Sequence, residues 1–155
     1  MLNRKEITSE LSNLLENHLN PRKDPRIYMA KEITFDYATL HPIRVDYMLF
    51  KPINNTASGI EHGDFYGYEV KSCKEDFESG HGLNFICDFN YIVTTKEVFE
   101  LKKQVIPYCV GVYVKEGNSL VSVKKARRTD RKYSLSEMLL MMFRSANREN
   151  FKKNK

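Results

Sequence analysis

Two stretches decide the fold: IRVDYMLF at residues 43–50 and FYGYEVKSC at residues 65–73. Both are short, apolar and rich in β-branched and aromatic residues, as strands inside a sheet are. Each also carries ionisable residues in mid-strand: Asp46 in the first, Glu69 and Lys71 in the second. A charge there is costly unless it is paired or holds a metal. Residues two apart on a strand share a face, so Glu69 and Lys71 project together. If the two strands are hairpin neighbours, Asp46 projects beside them.

That trio has a chemical use. Two adjacent carboxylates repel, and a hard divalent cation relieves the repulsion through oxygen ligands. Mg²⁺ or Mn²⁺ held by Asp46 and Glu69, with the backbone carbonyl of Val70 as a further ligand, activates a water against a phosphodiester. Lys71 then orients that water or neutralises charge growing on the phosphate. Taken alone, Glu69-Val70-Lys71 also describes a solvated ion pair on an exposed sheet. The order of elements around it is what points to a site.

Outward from the core, Ile7, Leu11, Leu14, Leu15 and His18 fall on one helical face, and Asn20-Pro21 ends that helix. Glu10 borders the apolar stripe and is the candidate for an additional metal-ligating glutamate, with Glu32 as its competitor. Residues 26–37 alternate partly as a strand. The three strands 26–37, 43–50 and 65–73 are expected to form an antiparallel meander, because their connections are too short for helical crossovers. Residues 51–64 read as a loop, and 74–78 as a short helix broken by Ser79-Gly80-His81-Gly82. A strand at 89–95, a helix at 96–104 and a hairpin of 108–114 with 120–124 follow. Ser134 and Glu137 form a capping-box pattern before the apolar face of Leu135, Met138, Leu139, Met142 and Phe143. The expected class is α/β: a mixed sheet in the order αβββαβ flanked by helices, closed by a C-terminal hairpin and helix. One domain spans 1–147, and a basic, disordered tail spans 148–155.

Arg44-Val45-Asp46, Glu69-Val70-Lys71-Ser72, Asp76-Phe77 and Cys87-Asp88 with the apolar strand after it together resemble the MmcB-like family of predicted DNA-repair nucleases, within the PD-(D/E)xK superfamily. The resemblance covers roughly residues 30–145. It implies a restriction-endonuclease-like fold, with Asp46 and Glu69 as metal ligands and Lys71 as the catalytic lysine. Around such a site Arg44, Ser72, Lys74 and His81 are candidates for phosphate contacts. The cluster Lys124, Lys125, Arg127 and Arg128 is the densest positive patch and a second candidate for nucleic acid. Each of these also reads as a solvated charge.

The wider composition sets the bounds. Twenty-five Lys and Arg against 20 Asp and Glu leave a net charge of +5, which favours a polyanionic partner such as DNA. Cys73, Cys87 and Cys109 form no CxxC pair and no zinc-finger spacing, which together with a polar N-terminus suggests a reducing, cytoplasmic setting. Glu61, His62 and Asp64 lack the rigid spacing of a metal site. No apolar run reaches the roughly 18 residues of a membrane span. The expected activity is therefore a Mg²⁺- or Mn²⁺-dependent endodeoxyribonuclease, with a homodimer as one way to cut two strands. The alternative is a nuclease-fold module that binds DNA or protein without cutting.

Overall fold

Six strands form one mixed sheet in simple sequence order in the computed structural model, which describes residues 2–80 and 82–153. Strands β1 (Tyr28–Phe35), β2 (Ile43–Lys51) and β3 (Asp64–Val70) make the expected antiparallel meander. β4 (Phe89–Thr94) and β5 (Gly111–Glu116) add in parallel, and β6 (Ser119–Lys124) returns antiparallel through the Gly117-Asn118 turn. The parallel steps need crossovers, and helices α3 (Lys74–Glu78) and α4 (Lys96–Lys102) supply them. Helix α1 (Arg4–Leu19) precedes the sheet and α5 (Leu135–Lys153) follows it.

The first helix starts at a complete capping box: Asn3 Oδ1 accepts the Glu6 N–H, and Glu6 Oε2 accepts the Asn3 N–H. Its buried Leu11 and Leu15 pack on Tyr47, Leu49, Tyr68, Val70 and Val93. On the other face, Met138 and Met142 of α5 pack on Ile33, Phe35, Val45, Met48 and Phe65. A third cluster gathers Phe77, Ile92, Val98, Val112 and Val114 beneath α3 and α4. β3 alternates between the two faces, whereas β2 keeps the two-residue period from Tyr47 to Phe50 and breaks it at Val45, which joins Met48 and Phe50.

Two expectations change. Residues 51–64 are not all loop, because Ala57–Glu61 form a short helix, α2, capped by the Thr56 side chain. The expected tail is helical as far as Lys153. What holds it is α5's contact with β1: Ser145 Oγ donates to the Lys31 carbonyl, and Arg148 donates to the Glu32 carbonyl at 2.6 Å. No helix among the described residues is long and apolar enough to cross a membrane.

Candidate metal and catalytic site

The β2–β3 ladder runs from Lys51 opposite Asp64 to Tyr47 opposite Tyr68. One step further, the same register sets Asp46 opposite Glu69 on one face. There the side chain takes over from the ladder: the Val70 N–H donates to Asp46 Oδ2 at 2.9 Å. This bond fixes the carboxylate at the strand end. Pairing with β4 continues past Val70, since the Lys71 N–H donates to the Val93 carbonyl at 2.9 Å and Thr94 Oγ1 donates to the Lys71 carbonyl at 2.6 Å. Lys71 therefore stays in strand geometry, two residues from Glu69 and on the same side.

The site is dry and electrostatically unbalanced. Glu69 is 3% exposed and Lys71 4%. Burial pushes the Glu69 carboxyl up to about 10, the neighbouring Asp46 carboxylate adds to the shift, and Lys71 offsets only part of it. Among the described residues Glu69 Oε2 is buried with no hydrogen-bond partner. An orphaned buried carboxylate oxygen facing a second carboxylate is the donor set that a hard cation satisfies. No group of three or more His, Cys, Asp and Glu able to hold a metal exists among the described residues. Asp46 and Glu69 would offer a cation two carboxylates, a number that Mg²⁺ can take while keeping water and phosphate oxygens.

Around this pair lies a cleft of about 840 Å³, reached by Arg4 and Thr8 of α1, Arg44 and Asp76. Asp76, in the first turn of α3, ties the parts together. Its Oδ2 accepts the Ser72 N–H (3.1 Å) and hydroxyl (3.3 Å), while Oδ1 meets Arg4 at 2.8 Å and lies 3.9 Å from Lys71 Nζ. The loop after α3 closes over the site. Gly82 has φ +80°, and a Cβ there would stand 2.7 Å from Glu69 Oε2 and 3.7 Å from Lys71 Nζ. Only glycine meets both demands.

Asp46, Glu69, Lys71 and the Val70 backbone thus come together as expected, with Arg44 beside them at 3.8 Å from Asp46. Other expectations need correction. Glu10 is not at the cleft, because it pairs with Lys115 of β5 at 2.5 Å, on the far side of α1's footprint. Ser72 is buried and spends its hydroxyl on Asp76, so it orders the strand end and faces no ligand. Lys74 runs along the outside of α3 toward Glu78. His81 lies outside the described residues. Glu32, the competitor to Glu10, is exposed at φ +52°, between the β1 residues that pair with Tyr47 and Val45.

The basic cluster sits at the opposite end of β3. Arg128 grips Asp64 with two bonds of 2.6 and 2.9 Å, Arg127 lies over the Tyr108 ring, and Lys124 Nζ donates to the Pro107 carbonyl; Lys125 is exposed. It is not continuous with the cleft at Val70. Sequence reading undervalued Gly82 and Asp76. Their signals were present, as a Gly-x-Gly loop and an acid at a helix start, but both also describe ordinary helix punctuation.

No protein-family model matches the chain, and no curated protein is similar to it. Among solved structures, the SPO1766 protein of unknown function from Silicibacter pomeroyi is similar over 97% of this chain and 90% of its own, at 15% identity and a TM-score of 0.58. At that identity the likeness concerns the arrangement of elements: both chains carry the same helix-flanked, mixed α/β sheet.

Proposed function

We propose that the cleft is the active centre of a Mg²⁺- or Mn²⁺-dependent endodeoxyribonuclease of the PD-(D/E)xK kind. One observation carries the reading: a buried carboxylate with an unpartnered oxygen, Glu69, set against Asp46 and beside a buried lysine. Structural acids are normally satisfied, and buried ones that are not mark sites of chemistry.

Asp46 and Glu69 would hold the cation, with the Val70 carbonyl within the same strand end. When bound, the cation supplies Lewis acidity and a more acidic water. The chain's own residues do the rest. The Val70 N–H keeps Asp46 in place. Asp76 holds the region around Lys71, whose ammonium would offset negative charge growing on a phosphate bound in the cleft. Arg4 and Arg44 line the cleft mouth and suit a polyanionic backbone. Gly82 lets its loop approach the acids closely and keep bulk water away.

The binding-only alternative draws on a different observation: no group of three or more His, Cys, Asp and Glu able to hold a metal exists among the described residues. One experiment separates the two. Purified protein is titrated with Mn²⁺ against plasmid, single-stranded and branched DNA, beside Asp46→Asn. Metal-dependent cutting that Asp46→Asn loses supports the nuclease. Salt-sensitive binding with no turnover on any substrate selects the silent module.

A further inference from the structure

The cleft uses one face of β3. The opposite face carries Tyr66 and Tyr68, with Tyr91 of β4 and Tyr113 of β5 on the same side. Helix α1 covers this face with Leu11 and Leu15, and past its last turn, at His18, a cavity of about 610 Å³ opens. No residue lining it lines the cleft. Tyr68 and Tyr91 stack with ring centroids 5.0 Å apart, Tyr91 and Tyr113 follow at 5.3 Å, and His18 closes on Tyr113 at 4.9 Å. Gly111 makes room for this row, because a Cβ there would lie 2.7 Å from the Tyr91 ring.

The polar groups are hydroxyls and amides, which donate or accept, and the cations Lys51 and Arg26. The hydroxyls of Tyr66, Tyr91 and Tyr113 have no hydrogen-bond partner among the described residues. Lys51 lies 4.7 Å over the Tyr66 ring and forms no ion pair among the described residues, since Asp64, opposite it on β3, is held by Arg128. In a chain with 20 acidic residues, none lines this cavity. A wall of aromatic rings, several unclaimed hydroxyls and a lysine outside any ion pair complement an anion that carries a flat apolar part.

We propose that this cavity is a second ligand site, one that takes a nucleotide, with its phosphate at Lys51 and the tyrosine hydroxyls and its base along the aromatic wall. The nucleotide comes either free or as a unit of single-stranded DNA. A duplex does not fit, because its bases are already stacked inward. The inference stands apart from the cleft and holds whether or not the cleft cuts DNA.

The test uses the full chain in EDTA, with calorimetric titration of thymidine monophosphate, a ten-residue oligothymidylate, the same oligomer as a duplex, and inorganic phosphate. Saturable binding of the monophosphate or the single strand is expected, and whichever binds more tightly identifies the source. Lys51→Gln should weaken it at least about fivefold. Tyr91→Phe with Tyr113→Phe, which removes only hydroxyls and leaves the core intact, should weaken it at least about threefold with unchanged thermal unfolding. The site is refuted by wild-type affinity in these variants, by absence of binding to both probes, by preference for the duplex, or by inorganic phosphate binding as tightly as the monophosphate.

Discussion

The two ends of β3 each carry a pair of acids, and they are treated in opposite ways. At the start of the strand, Asp64 receives both arms of Arg128, and Asp88 accepts the Phe65 N–H at 2.8 Å and meets Arg131 at 3.3 Å. The guanidinium beside Asp64 holds its carboxyl below the usual range. At the end of the strand, Asp46 and Glu69 face one another, and one buried Glu69 oxygen has no partner. The same residue chemistry is balanced at Asp64 and unbalanced at Glu69, five residues further along the strand. Balanced acids hold a fold together; acids left in conflict hold a place for something that the chain itself does not provide.

The largest effect that would break this contrast concerns Lys71. Lys71→Ala should lower Mn²⁺-dependent DNA cleavage by about 10²–10³-fold or more while the protein still unfolds cooperatively. Cleavage at the wild-type rate would end the nuclease reading.

Next comes the response to metal and pH. Glu69 keeps its proton up to about 10 in the folded chain, against an ordinary value of 4.5. Between those limits the folded state holds a proton that the unfolded state has released, so stability without metal falls as pH rises. The wild-type midpoint of thermal unfolding in EDTA should drop from pH 5 to pH 8, and Mn²⁺ should restore it most at pH 8. Glu69→Gln should flatten the pH slope and abolish the Mn²⁺ shift. A metal shift that persists in Glu69→Gln places the cation elsewhere.

Gly82→Ala sharpens the comparison from the side of the loop. The left-handed backbone and the 2.7 Å approach to Glu69 should together cost about 1–3 kcal/mol by chemical denaturation. A neutral result would mean that the loop shifts freely from the acids. The smallest effect belongs to the balanced end. Asp64→Asn should cost under about 1 kcal/mol and leave the Mn²⁺ shift untouched, because its Arg128 partner is largely exposed.

Much of this architecture was legible in the residues. The apolar, β-branched and aromatic runs 43–50 and 65–73 predicted strands, and short connections made them antiparallel neighbours. Asp46 and Glu69 come together just beyond the end of that ladder, a meeting legible from the order of the elements rather than from spacing alone. The edges were not. Helical periodicity placed Glu10 at the border of the apolar stripe, but which strand that border faces depends on how α1 lies across the sheet, and it faces Lys115. The positive run 124–128 read as a second candidate surface for nucleic acid, with no place assigned to it relative to the site. Tertiary structure carried it to the other end of β3 and engaged Arg128 with Asp64.

Local pattern by itself determined the elements, their order and the face each residue takes, because those follow from backbone period and short-range sterics. Only the folded chain decided which charges meet. Asp76 reaches Lys71, Gly82 covers Glu69, and five tyrosines from four strands line one cavity through contacts between segments far apart in sequence. No local rule sets those distances; the packing of helices on a twisted sheet does.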